Sequence, residues 1–123
     1  MEVMVVDDET DIQLLFEQKF RKEIKQGKIQ FHFVFSAEEA LDFLKNQQMP
    51  EGLVLILADI NMPGMNGLDL LKVIKHDFAE IKVFMVTAYS DLVNYKTALE
   101  YGADDYINKP IEFEKLKQKI WKL

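Results

Sequence analysis

The chain has no cysteine, three prolines, five glycines and one tryptophan in 123 residues. Without cysteine, structural disulfides, thiolate metal sites and thiol nucleophiles are excluded. No apolar run approaches the roughly 18 residues that a bilayer span requires. Residues 1–6 are too few and too acidic for the charged and apolar regions of a signal peptide. Positive charge is also in short supply, with 15 Lys and Arg against 21 Asp and Glu and a formal charge of -6. That balance argues against binding to a phosphate backbone, which rests on clustered cations. The sequence therefore reads as a soluble cytoplasmic protein with no direct nucleic-acid or membrane contact. Lys115, Lys117, Lys119 and Lys122 do cluster, and they read as the solvated face of a last helix, complementing its negative C-terminal end.

What is present is the composition of a folded chain: 49% hydrophobic residues, 29% charged and nine Phe, enough for one domain over residues 1–123 with its own core. The short apolar run at residues 2–6 closes on Asp7, Asp8 and Glu9. From Thr10 the spacing becomes helical through Ile12, Leu15, Phe16 and Phe20, with Thr10 and Gln13 forming a capping box, and the helix fades near Gln26 and Gly27. Ile29, Phe31, Phe33 and Phe35 alternate with Gln30, His32 and Val34, a strand with one wetter face. Ser36 and Glu39 form a second capping box ahead of Ala37, Ala40, Leu41 and Leu44.

The apolar run from Leu53 to Ala58, opened by Pro50 and Gly52 and closed by Pro63 and Gly64, has the length of a strand buried on both faces. A third helix follows Asn66 and Gly67 and ends near His76 or Asp77. Lys82 to Val86 forms a fourth strand stopped by Thr87, Ser90 or Asp91 caps a fourth helix that ends at Gly102, and Tyr106 and Ile107 centre a fifth strand. A last helix carries Phe113, Leu116, Ile120 and Leu123. Five strands alternating with five helices, uninterrupted by a linker or repeat, predict an α/β doubly wound parallel sheet with helices on both faces.

The strand ends carry the chemistry: Asp7 and Asp8 after the first, Asp59 after the third, Thr87 after the fourth and Lys109 after the fifth. With strand order 2-1-3-4-5, the first and third strands meet at the topological switch point and the three aspartates share a crevice. Two carboxylates about 4 Å apart repel by about 4 kcal/mol at an effective dielectric near 20, so three together call for a cation. Magnesium suits them, because it takes oxygen ligands and leaves positions for a phosphate oxygen. Lys109 and the Thr87 hydroxyl can stand around an oxygen of Asp59, the arrangement in which a carboxylate accepts a phosphoryl group.

Four segments make the chain resemble the receiver domain of two-component response regulators: Val-Asp-Asp-Glu at 6–9, Asp-Ile-Asn-Met-Pro-Gly-Met-Asn-Gly at 59–67, Val-Thr-Ala at 86–88 and Gly-Ala-Asp-Asp-Tyr-Ile-Asn-Lys-Pro at 102–110. The resemblance implies the five-stranded flavodoxin-like fold and makes Asp59 the phosphoacceptor. It implies that Asp8, Asp59 and the main-chain carbonyl of Asn61 ligate magnesium, with Asp7 helping through water. Thr87 and Lys109 would contact the phosphoryl group, and the Lys109-Pro110 bond would be cis. Thr87 and Tyr106 would form a switch that reshapes the face of the fourth helix, fifth strand and fifth helix, with Tyr95, Tyr101 and Trp121 as candidate partner-contacting residues.

The implied partners are a histidine kinase or phosphotransfer protein and a downstream protein target. A missing output domain of a longer chain and a homodimer through the same face are further partners. The segment Arg21 to Lys28 is longer than the family pattern, and nothing follows the last helix. A single-domain regulator and an excised receiver are both compatible with that.

Two rivals share parts of the pattern. A phosphohydrolase of the haloacid dehalogenase type places Asp-x-Asp after its first strand, whereas Asp59 precedes Asn61 by two and Asp7 adjoins Asp8. A flavodoxin-like flavin binder needs a Ser/Thr/Gly loop after strand one, where this chain has three acids. His32 and His76 read as surface residues, the Phe31, Phe33 and Phe35 row as core, and Met62 and Met65 as cover for the acceptor loop.

Overall fold

The computed structural model describes residues 1–46, 52–88 and 92–123. The expected opening of the third strand at Pro50 and the capping of the fourth helix by Ser90 or Asp91 lie outside the described residues. Five strands, β1 (Glu2–Val6), β2 (Gln30–Val34), β3 (Leu53–Asp59), β4 (Lys82–Ala88) and β5 (Asp105–Lys109), form one parallel sheet in the order β2-β1-β3-β4-β5. The helices are α1 (Asp11–Lys19), α2 (Arg21–Lys25), α3 (Ala37–Lys45), α4 (Gly67–Asp77), α5 (Leu92–Glu100) and α6 (Phe113–Trp121). None of these is long and apolar enough to cross a membrane.

The apolar strands are buried from both sides, as helix-covered parallel sheets require. Alternate residues feed two cores. Met4, Val6, Ile56, Ala58, Val83 and Met85 face a layer built by α3, α4 and α5, including Leu44, Leu70, Leu71, Ile74 and Ala98. Val3, Val5, Leu55, Leu57, Phe84 and Val86 face the layer of α1 and α6, with Phe16, Phe20, Leu116 and Ile120. Phe16 and Phe20 meet Phe31 and Phe113 edge-on at centroid distances of 4.9–6.2 Å, a favoured geometry for aromatic pairs.

Several local expectations are corrected. The single first helix is two: Phe20, at φ -105° and ψ 17°, interrupts it, so the expected fourth and fifth helices are α5 and α6. Thr10 is already helical and caps nothing with its side chain; a side-chain cap needs the extended backbone that Thr10 lacks. Ser36 has that backbone and accepts the Glu39 N–H at 3.0 Å, while the Glu39 carboxylate accepts from Phe35 N–H, one residue wider than a standard box. Strand β4 runs through Thr87 to Ala88.

The wetter face of β2 is half covered, because Val34 is buried and the His32 ring lies against Phe43 of α3. The lysines of α6 are not a uniform solvated face. Lys117 is largely buried, paired with Glu23 of α2 at 3.0 Å and placed over the Phe20 ring, and Lys119 pairs with Asp105 at 2.8 Å.

Candidate functional site

Register brings the strand ends together. Val6 pairs with Ala58, so the next residues, Asp7 and Asp59, emerge side by side at the switch between β1 and β3. Asp59 pairs with Val86, which places Thr87 one step beyond on β4, and Ala88 pairs with Lys109 on β5. Helix α4 starts directly over the end of β3. Its N-cap Asn66 accepts the Asp69 N–H at 2.9 Å, and the Gly67 N–H donates to the Ile60 carbonyl at 3.0 Å. A Cβ on Gly67 would stand 2.8 Å from the Asp59 carbonyl carbon, which leaves glycine as the residue that fits.

Asp7 and Asp59 are buried at 4% and 5% exposure, while Asp8 is exposed. One carboxylate oxygen from each of the three lies within 4.8 Å of the others, a spacing that an oxygen-ligated cation can span. Lys109 enters this cluster from β5 and donates to Asp7 Oδ2 and Asp59 Oδ2, each at 3.2 Å. Glu9 also approaches the same ammonium at 3.9 Å; the sequence placed Glu9 at the strand end without giving it a role. The Glu9 N–H fixes Asp7 Oδ1 at 2.9 Å, and the Asn61 N–H reaches Asp59 Oδ1 at 3.4 Å. The Lys109-Pro110 bond is cis.

Electrostatics set Asp59 apart. Burial raises its pKa above the ordinary aspartate value and the neighbouring Asp7 charge adds to that, while Lys109 opposes both without cancelling them. For Lys109, burial alone would lower the pKa, but attraction to Asp59 and Asp7 outweighs it and the net direction is upward. Thr87 is fully buried, and its Oγ1 has no hydrogen-bond partner among the described residues. A buried hydroxyl without an acceptor is costly, and this one belongs to the residue that follows the register partner of Asp59.

Tyr106 is half-buried, with the exposed Tyr95 ring edge-on at a centroid distance of 4.8 Å. The other two expected surface aromatics lie elsewhere. Tyr101 packs against the α3–α5 core layer with the Lys72 ammonium 5.3 Å from its ring centre, so helical periodicity turns it toward α4. Trp121 is exposed at the end of α6, but it borders a cleft with Lys22, Glu23 and Gln26 of the α2 region. His32 pairs with Glu2 and His76 with Asp77, and neither belongs to the acidic cluster. Beside the crevice lies an open cleft of about 450 Å³, with Ile12, Leu15, Ile111 and Phe113 forming its apolar wall and Lys109 its border with the aspartates.

The family model described as "Response regulator receiver domain" matches residues 3–121. The chain is 38% identical over 114 residues to the DNA-binding transcriptional regulator NtrC of Proteus hauseri, covering 91% of this chain and 22% of that protein. It is 30% identical over 122 residues to the chemotaxis protein CheY1 of Helicobacter pylori, covering 98% and 94%. The chain spans between about a fifth and a half of the length of the first curated relatives it matches. Among solved structures it is similar to the response regulator protein TrrA of Thermotoga maritima in complex with Mg(2+)-BeF. That match has a TM-score of 0.78, 29% identity, and covers 98% of this chain and 96% of that one.

Proposed function

This chain belongs to the response regulator receiver domain family, and from that premise we propose that Asp59 accepts one phosphoryl group from the phosphohistidine of a histidine kinase or phosphotransfer protein. As a receiver domain it is a module of phosphorylation-dependent signalling. The observation that carries the assignment to Asp59 is its buried carboxylate, 3.2 Å from the Lys109 ammonium in a cluster of three aspartates.

In the proposed reaction an Asp59 oxygen attacks phosphorus, a P–O bond forms, and the P–N bond breaks with its electron pair passing to the imidazole. Lys109 balances charge on the phosphoryl oxygens. The Thr87 hydroxyl, buried and without an acceptor among the described residues, donates to one of them. Asp7, Asp8, Asp59 and the Asn61 main-chain carbonyl would hold magnesium, and the complex of TrrA with Mg(2+)-BeF supports that choice of cation. When bound, magnesium supplies positive charge that offsets carboxylate and phosphoryl repulsion. The apolar cleft beside Lys109 receives the donor protein's side chains and aligns its phosphohistidine.

Redirecting Thr87 toward the phosphoryl group vacates its buried position, and Tyr106 moves with it. Tyr106 contacts Tyr95, so the change reaches the surface of α5, β5 and α6. A downstream protein, an output domain or a second copy of the chain reads that surface.

Acetyl phosphate with magnesium tests the assignment by intact-protein mass spectrometry. Wild type gains one phosphate, and Asp59→Asn gains none. Adduct formation that persists in Asp59→Asn would remove the assignment. Multiple turnover on phosphate esters would favour a phosphohydrolase.

A further inference from the structure

The Glu38 side chain leaves the first turn of α3 and reaches the loop that follows Asp59. Its Oε1 accepts the Met65 N–H at 3.0 Å, across 27 residues of sequence. The contact is close on both sides of that bond: a Cβ at Gly64 would lie 3.1 Å from Glu38 Oε2 and 3.2 Å from Oε1. Gly64, at φ +76°, is in the left-handed region that glycine adopts without strain. The absence of a side chain there lets the carboxylate lie against the turn.

The loop has further anchors, among them the Ile60 N–H, which donates to the Val86 carbonyl of β4 at 3.0 Å. Met62 is buried in the core, and Asn66 caps α4. Between the β3 end and that cap, Glu38 is a tie from a different element of the fold. Glu39, its neighbour, is spent on capping α3 through Phe35, so the two adjacent carboxylates have separate tasks.

We propose that Glu38 is a positioning residue for the acceptor loop, holding the Gly64-Met65 turn so that the Asn61 carbonyl is presented toward the aspartate cluster. This rests on the reading of Asp59 as phosphoacceptor with a magnesium site. Glu38 is not among the clustered aspartates that would hold the metal. It fixes the backbone from which one ligand projects, as outer partners of metal ligands do. The Met65 N–H is already engaged by this bond.

The test compares wild type, Glu38→Ala and Glu38→Gln, the last retaining an oxygen that can accept the Met65 N–H. Magnesium affinity is read by titration calorimetry without any phosphodonor, and exchange of the Met65 amide by NMR. Glu38→Ala is expected to weaken magnesium binding by about fivefold and to speed Met65 exchange by a similar factor, the scale set by one exposed charge-assisted hydrogen bond. Glu38→Gln recovers both to within about twofold. With acetyl phosphate, the loss in Glu38→Ala falls on the magnesium concentration for half-maximal rate and leaves the saturated rate intact.

Unchanged magnesium affinity in Glu38→Ala, with faster Met65 exchange or a lower melting temperature, would make the bond merely structural and overturn the proposal. If wild type itself takes up no phosphate or binds no magnesium, the underlying reading of Asp59 fails instead, and the two failures are thereby distinguished.

Discussion

Lys109 holds its ammonium 3.2 Å from Asp59 Oδ2, although the strands that end in these two residues are separated by β4. The same ammonium donates to Asp7, so it offsets carboxylate charge at the residues that would hold a divalent ion. Lys109→Met removes that competing cation while keeping the aliphatic stem. Magnesium should bind more tightly to the variant, by titration calorimetry. Phosphoryl uptake from acetyl phosphate should slow by about 10²-fold, the loss typical when a charge-stabilising donor is removed. Weaker magnesium binding in the variant would show that Lys109 does not compete for the aspartates.

Asp59 is the aspartate whose charge the fold disfavours. Its pKa is raised chiefly by burial, and a carboxyl raised on folding costs stability at pH values above its folded pKa; that cost disappears as pH falls through that value. Asp59→Asn therefore raises the metal-free melting temperature at pH 7, by a few degrees for about 1 kcal/mol in a domain of this size. The gain shrinks in acid. At the proposed magnesium site the ion should lift the melting temperature of wild type more than that of the variant. An Asp59→Asn protein that melts below wild type at pH 7 without metal would contradict the electrostatic account.

Gly67 opens α4 and has no positive φ, yet it tolerates no side chain. A Cβ there would stand 2.8 Å from the Asp59 carbonyl carbon and 2.9 Å from the Ile60 Cα, both backbone atoms that cannot rotate away. Gly67→Ala should cost at least about 3 kcal/mol by urea denaturation, from overpacking at a buried contact. Gly27 has nothing within 4 Å of its added Cβ. Gly27→Ala, although strained by its φ of +70°, should cost less. The reverse ranking would mean that backbone strain outweighs the approach of α4 to β3.

The Asp7 and Asp59 positions are legible because parallel strands buried on both faces are written as continuous apolar runs, and those of β1 and β3 stop at these aspartates; Thr87 and Lys109 lie inside β4 and β5 and are legible through the segments at 86–88 and 102–110. The same periodicity hid other features. Phe16 and Phe20 keep helical spacing and are both buried, so the pattern runs unbroken through the residue where α1 gives way to α2. The resemblance makes Tyr101 a candidate for the partner surface, and only the neighbouring α4 shows which way it faces. Glu38 sits beside Glu39, whose capping spacing is local, whereas the partner of Glu38 is 27 residues away. Contacts of that kind depend on how the sheet is wound.

Lys117 is the largest departure from the sequence expectation, and it supplies a pH test. Its ammonium is 3.0 Å from Glu23 Oε2 and 5.1 Å from the Phe20 ring centre, with both side chains largely buried. For Glu23, burial raises the pKa, but the hydrogen bond and attraction from Lys117 outweigh it, and the net direction is down. A carboxyl lowered on folding adds stability above its unfolded pKa of about 4.3, and that stability is lost as pH falls through the folded value.

Lys117→Met keeps the stem over Phe20 but removes the ammonium paired with Glu23, whose Oε1 has no hydrogen-bond partner among the described residues. At pH 7 the variant should be less stable by about 1–3 kcal/mol in urea denaturation, the cost of a charge-assisted bond in a largely desolvated pair. Below the Glu23 pKa the deficit should shrink, because the protonated carboxyl no longer carries an uncompensated charge. Adding Glu23→Gln should recover most of the loss at pH 7. A deficit that is equal at pH 3 and pH 7 would locate the contribution of Lys117 in packing on Phe20, with α2 held to α6 by apolar contact alone.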